Sequence, residues 1–357
     1  MSPAITIRAG KAALARIASD GLRAADVSVV PAAAGGPKGL VLNGLDKWLF
    51  GEWLPGTPRA RQFIGASIGA WRMAAAMHFD PAAAFDRLAR LYAGQRYPKN
   101  PSAEYVTAVC RTLVADFVGG RAGEILSHPN HRLAVLAVRG RGPLAQPGSR
   151  RAEMLGFALA SAANAMGRAR LAGYLDRVVF HDPRDGLAWM HGGFDAFHTQ
   201  FAPLSEANLR EALLASGSIP LVLEAVGGIS GAPHGAYWDG GIIDYHLHLP
   251  YPRAGGIVLY PHFADHVVPG WLDKAWRWRR ARGEWLDNVM LVAPSAEFVA
   301  TLPNGKLPDR KDFARYGLDH DARIRDWTRA VAESERMGEA FARWVEKPDP
   351  AVIQPID

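Results

Sequence analysis

Cysteine is almost absent from this chain: Cys110 is the only one in 357 residues. That excludes an internal disulfide framework and makes a reducing compartment the expectation. Long apolar runs are missing as well, since no stretch without Asp, Glu, Lys or Arg outlasts Ala225 to Trp238, short of the ~20 residues a spanning helix needs. The first residues lack the basic, apolar, small-residue order of a secretory signal, so a cytoplasmic protein is expected. Charge of one sign is scarce: 41 basic against 35 acidic side chains leave +6, a weak field over this length, and no nucleic-acid partner is expected. Repeats and low-complexity tracts are absent, and 49% hydrophobic with 21% charged residues is the balance of a folded chain, not a disordered one.

Turn formers are plentiful: 37 glycines and 25 prolines predict many tight turns and backbone-lined loops. Ala12 to Leu22 carries apolar residues at helical spacing, and Val27 to Val30 reads as a short buried strand. A glycine turn follows, and then Leu40 to Phe50 returns to helical spacing with Pro37 ahead of it. The unit repeats as a strand at Gln62 to Ala66 and a helix at Ile68 to Met77. Further helices are expected at Pro81 to Tyr92, Ala103 to Val118 and Arg151 to Gly167, interleaved with strands at Leu133 to Val138 and Arg177 to Phe180. Ser205 is expected to cap a helix through Ala215, with strands later at Ala236 to Asp239 and Gly255 to Leu259. Such alternation predicts an α/β fold with a largely parallel central sheet covered on both faces. Past Pro261 the pattern predicts helical additions: a Trp- and Arg-dense helix from Trp271 to Trp285, a polar loop from Leu302 to Asp312, and one long amphipathic helix from Asp321 to Val345. No linker divides the chain, so residues 1–357 are expected to form one domain with a core at about 27–260 and a helical extension at about 261–357.

Three short motifs carry candidate chemistry. Gly65-Ala66-Ser67-Ile68-Gly69 matches the nucleophile elbow, where a serine sits on a strained strand-to-helix turn and the flanking glycines avoid neighbouring elements. Ala34-Gly35-Gly36-Pro37-Lys38-Gly39 also lies between a strand and a helix, where successive N–H groups would receive negative charge. Pro37 has no N–H, so the candidate donors are Gly35, Gly36 and Lys38, with Ile68 after the serine. The dinucleotide pattern G-x-G-x-x-G and the Walker pattern are both unmatched here. Trp238-Asp239-Gly240-Gly241 places a carboxylate at a strand end, though Asp-Gly is also a common turn pair.

In order and spacing these three motifs resemble the patatin-like phospholipase family. The Ser-rich bend Ala215-Ser216-Gly217-Ser218-Ile219-Pro220 is similar to that family's bend ahead of a proline. The resemblance covers about Val27 to Gly241, with Ala34 where the family usually has a first glycine and Lys38 where it often has Arg. It implies a three-layer α/β/α fold and a lipid acyl hydrolase that needs neither metal nor organic cofactor. Ser67 would then be the nucleophile, Asp239 its base, and the loop of Gly35, Gly36 and Lys38 with Ile68 the oxyanion hole.

Such a dyad asks a carboxylate to take the serine proton and return it to the departing alcohol. An aspartate of ordinary pKa near 3.9 is a weak base for that task, so partial burial is expected to raise it. The order Ser, Asp, His of ordinary α/β-hydrolases stays open, because His246, His248, His262 and His266 all follow Asp239. An acyltransferase is the other enzymatic alternative, and a catalytically silent lipid- or nucleic-acid-binding module the non-enzymatic one. His246-Leu247-His248 could ligate a metal, yet no further ligand cluster accompanies it. Finally, Trp271, Trp276, Trp278 and Trp285 interleave with Lys274, Arg277, Arg279, Arg280 and Arg282, a composition suited to peripheral contact with an anionic lipid surface, or to a surface helix anchored in the core.

Overall fold

Runs of adjacent buried residues dominate the strands, and because neighbouring side chains on a strand point to opposite faces, such runs require cover on both sides of the sheet. Phe63, Ile64 and Ala66, and Ile257 through Tyr260, are all buried in this way. The computed structural model describes residues 4–148 and 150–356, and its α/β fold meets that requirement with helices on the two faces of one mainly parallel sheet. The strands are β1 (Ile5–Ala9), β2 (Val27–Ala32), β3 (Arg61–Ala66), β4 (His131–Gly140), β5 (Leu175–His181), β6 (Thr199–Pro203), β7 (Tyr237–Asp239), β8 (Ile257–Pro261), β9 (Val289–Pro294) and β10 (Gln354–Pro355). Their order is β10-β1-β9-β8-β2-β3-β4-β5-β6, with β7 alongside β4. The centre, β9-β8-β2-β3-β4, is parallel throughout. β1 joins β9, and β5 and β7 join β4, in antiparallel fashion.

Chain order runs outward from β2 in one direction through β3 and β4, and β8 and β9 extend in the other. The carboxyl ends of β2, β3 and β8 therefore frame a crevice at a reversal of strand order, the usual location of ligand sites in open α/β sheets. The glycine loop leaves β2 there, and Ser67 leaves β3. β7 enters from the opposite direction: Ala66 pairs with Leu136 of β4, and Asp239 pairs with the next residue, Ala137. The ends of β3 and β7 thus meet head to head along β4, which brings residue 239 beside residue 67.

Several elements differ from what the residues predicted. The sheet takes β1 and β9 from outside residues 27–260, so the stretch after 261 supplies an inner strand and is more than a helical extension. The segment from Trp271 to Trp285 is not one helix but three single turns at Trp271–Asp273, Arg277–Arg279 and Glu284–Leu286. The long C-terminal helix divides at Ser334 into His320–Glu333 and Glu335–Glu346. The division has a cause: buried Ser334 donates to the Val331 carbonyl and accepts the Gly44 N–H. A Cβ on Gly338 would lie 2.7 Å from the Gly44 carbonyl oxygen, so two glycines let helices Asn43–Trp48 and Glu335–Glu346 touch backbone to backbone. The helix expected from Ser205 starts instead at Leu209, because the Asn208 side chain holds Ser205 N and the Pro203 and Ser230 carbonyls.

Candidate active site

Ser67 stands between β3 and the helix Ile68–Ala76 with φ 55° and ψ −130°, a backbone state costing a non-glycine residue about 1–3 kcal/mol. The turn tightens because glycines flank it. A Cβ on Gly69 would lie 2.0 Å from the Ala32 carbonyl oxygen, and one on Gly65 2.4 Å from the Ala70 nitrogen. The strained turn is held by the Ser-rich bend: Ser67 N–H donates to Ser216 Oγ at 2.8 Å, and Ser216 Oγ donates to the Leu136 carbonyl at 2.6 Å.

Ser67 Oγ donates to Asp239 Oδ2 at 2.7 Å, and both residues are buried. The other oxygen, Oδ1, accepts the Gly241 N–H at 2.7 Å. Asp239 N–H in turn donates to the Ser218 carbonyl at 2.8 Å, so the bend at 215–220 ties both members of the pair. Burial pushes the Asp239 carboxyl above the ordinary aspartate value, partly offset by the charge of Arg310, the Ser67 hydroxyl, the Gly241 N–H and Lys274. Desolvation thereby makes it a stronger base than a surface aspartate.

Of the residues expected to donate to an oxyanion, three border the cavities at the pair. Gly35 and Lys38 border a cavity that reaches Asp239, and Ile68 borders a second that reaches Ser67. Gly36 adopts φ 58° with the Arg310 side chain and the Tyr92 hydroxyl against it. A Cβ on Gly39 would stand 3.1 Å from the Ile68 side chain, so the glycine loop rests directly on the helix that follows Ser67. Phe263, just after β8, packs on Gly35, where a Cβ would come within 2.4 Å of its ring.

The four histidines lie elsewhere. His246 Nδ1 accepts the Val268 N–H and His262 Nδ1 the Ala264 N–H, and their rings meet at 4.2 Å. Burial pushes both imidazoles well down from the usual histidine value, His262 to about 3. His248 packs on Trp285, and His266 bonds exposed Asp265. Among the described residues none of the four hydrogen-bonds Ser67 or Asp239, and no group of three or more His, Cys, Asp or Glu is placed to hold a metal. Among the described residues no helix is long and apolar enough to cross a membrane.

Sequence reasoning missed four contributors. Ser216 was legible as part of a bend, but not as the acceptor of the Ser67 N–H. Lys274, Arg310 and Lys311 reach the cavity at Asp239, the smaller of the two, from segments remote in sequence; Lys274 was marked only as part of the Trp/Arg segment, and no motif marks Arg310 or Lys311. In the Trp/Arg segment, Arg279 turns inward to Asp273 at 2.8 Å and to the Asn164 and Ala165 carbonyls, with its guanidinium on Trp276. Trp285 packs on Phe194, and Trp271 lines the smaller cavity, while Trp278 is 75% exposed.

No family model matches the chain. No curated protein matches it either. Among solved structures, that of human GIVD cytosolic phospholipase A2 is similar at a TM-score of 0.30 and 11% identity, over 95% of this chain and 62% of that one. The chain spans less than two thirds of that structure, and the likeness is too slight to carry that enzyme's activity across.

Proposed function

We propose that this chain is a serine acyl hydrolase of patatin-like type, acting on carboxylic esters of lipids through a Ser67–Asp239 dyad. The observation that carries the reading is the 2.7 Å bond from a buried serine on a strained strand-to-helix turn to a buried carboxyl group. A structural Ser–Asp hydrogen bond needs no strained turn, and backbone strain of this kind concentrates at functional sites.

In the first half-reaction Ser67 Oγ attacks the ester carbonyl carbon while its proton passes to Asp239 Oδ2. The carbonyl oxygen becomes an oxyanion, received by N–H groups among Gly35, Gly36, Lys38 and Ile68. Each strong donor of that kind contributes about 3–4 kcal/mol to the barrier reduction. Collapse breaks the acyl–oxygen bond, and Asp239 returns the proton to the leaving alcohol. Water then attacks the acyl-Ser67, losing its proton to Asp239, and the acid departs as Ser67 regains its hydrogen. The apolar cavity of about 500 Å³ beside Ser67, walled by Ile68, Trp71, Tyr92, Val106, Leu223 and Phe313, suits an aliphatic acyl group. Peripheral contact with an anionic lipid surface belongs to the same reading, and exposed Trp278 together with exposed Met154, Leu155 and Met166 supports it.

The experiment is turnover of a short-chain ester by purified wild type and Ser67→Ala. The variant should fold and lose at least ~99% of the activity. Retention of more than that residue in protein free of host esterases would refute the assignment.

A further inference from the structure

Two cavities of different lining adjoin the Ser67–Asp239 pair. The larger, beside Ser67, is mainly apolar, with Lys99, Arg310 and His320 also on its border. The smaller, about 230 Å³, reaches Asp239 and is bordered by Lys38, Lys274, Arg310 and Lys311. Ile219 and Arg310 line both, so the two spaces are neighbours, one reaching Ser67 and the other Asp239. Against these four basic side chains the smaller cavity presents two carboxylates, Asp239 and Asp309. Asp309 is already engaged by Lys306 at 3.3 Å, and Asp239 by Ser67 and Gly241. Lys38 and Lys274 face ring systems instead, Phe263 at 5.3 Å and Tyr245 at 4.0 Å. Among the described residues none of the four forms an ion pair.

Like charges gathered on one cavity repel, and each would gain from an anion placed among them. The strain is visible at Lys274, whose ammonium is pushed down to about 7 by desolvation and by the neighbouring charges of Lys38 and Arg310. One guanidinium fork and three ammonium groups form a donor set suited to phosphate oxygens. A phosphate monoester, carrying about −1.5 to −2 at neutral pH, complements this excess of basic groups and would favour the charged form of Lys274.

We propose that the smaller cavity is the leaving-group subsite and that the substrate is an acyl ester whose alcohol bears a phosphate monoester. The proposal rests on the serine hydrolase reading and deepens it. The acyl group lies in the apolar cavity, the acyl–oxygen bond breaks over Ser67, and Asp239 hands its proton to the oxygen of the phosphorylated alcohol. That alcohol then departs through the cationic cavity, while the acyl group stays on Ser67. A zwitterionic head group matches less well, because its ammonium would meet four basic side chains.

The test compares kcat/KM of the full chain on three dispersed substrates with one short acyl chain: a monoacylglycerol phosphate, the neutral monoacylglycerol and the monoacylglycerol phosphocholine. The phosphate monoester should exceed both others by about tenfold or more, a discrimination that buried polar recognition readily supplies. In Lys274→Gln/Lys311→Gln the ratio should collapse to within about threefold, a readout independent of the folded fraction. Equal kcat/KM on the three, or an unchanged ratio in the double variant, overturns the subsite. Inorganic phosphate provides a second arm: competitive inhibition together with substrate preference supports the proposal, and inhibition without preference means that the cavity binds free phosphate only and overturns it. If a fluorophosphonate labels Ser67 but no preference appears, the subsite fails and the hydrolase reading stands. If neither labelling nor hydrolysis occurs, both fail.

Discussion

At the scale of single residues, the site uses two groups held in costly states. Ser67 sits at φ 55°, so replacing it by glycine relieves strain that alanine retains. Ser67→Gly should be more stable than Ser67→Ala by roughly 1 kcal/mol and unfold at higher temperature, in a comparison where both lack Oγ. Equal stability would mean that the turn is unstrained in solution. For Asp239 burial raises the carboxyl, which means that the folded chain holds this proton more tightly than the unfolded one does. The resulting stabilisation is complete below the ordinary aspartate value and is lost as pH rises through the raised folded value. Asp239→Asn should therefore be inactive yet more stable than wild type at neutral pH, with the advantage shrinking toward acid, as paired thermal melts would reveal. The charge of Arg310 holds the same carboxyl down. Arg310→Gln should move the acid limb of kcat/KM to higher pH, and a shift to lower pH would contradict the electrostatic assignment.

Elements turn these residues into a site. The bend at 215–220 clamps the ends of β3 and β7 through Ser216 Oγ and the Ser218 carbonyl. Ser216→Ala leaves the buried Ser67 N–H without its acceptor, a cost of about 1–3 kcal/mol. If Ser216 positions the turn, kcat should fall about tenfold with KM little changed; a loss of stability alone would make the residue purely structural. The segment from Trp271 to Trp285 behaves as two surfaces, not one. Asp273 is buried between Arg168 and Arg279, and breaking a buried ion pair costs roughly 3–5 kcal/mol, less where a second partner remains. Arg279→Glu should accordingly lower the melting temperature. Trp278→Ala should leave melting unchanged and reduce co-sedimentation with anionic vesicles at low salt, and unaltered co-sedimentation would remove Trp278 from any lipid contact.

For the molecule as a whole, the parts readable from the residues are those encoded locally. The strand–glycine–helix units at Val27–Leu42 and Arg61–Ala76 announce themselves through adjacent apolar runs and glycine turns, and with them Ser67 and the loop of Gly35 and Gly36. Asp239 was readable only through the order of motifs, since its approach to Ser67 depends on β3 and β7 meeting along β4, a pairing across 172 positions. β1, β6, β9 and β10 escaped notice because short strands give a weak periodic signal. The division at Ser334 escaped because a serine inside an apolar stripe reads as helix, whereas its hydroxyl binds Gly44 in a distant segment. The cationic cavity was the least legible part: Lys38, Lys274, Arg310 and Lys311 come from three separate stretches and share only the space they surround.

The central claim is that Ser67 is a nucleophile activated by Asp239, and peptide-resolved mass spectrometry after fluorophosphonate treatment tests it most directly. In the wild type a single adduct should map to Ser67, and in Asp239→Asn its rate of formation should fall by at least ~100-fold, while His246→Ala and His262→Ala label at rates near wild type. An adduct on another residue, or labelling in Asp239→Asn at the wild-type rate, would contradict the account.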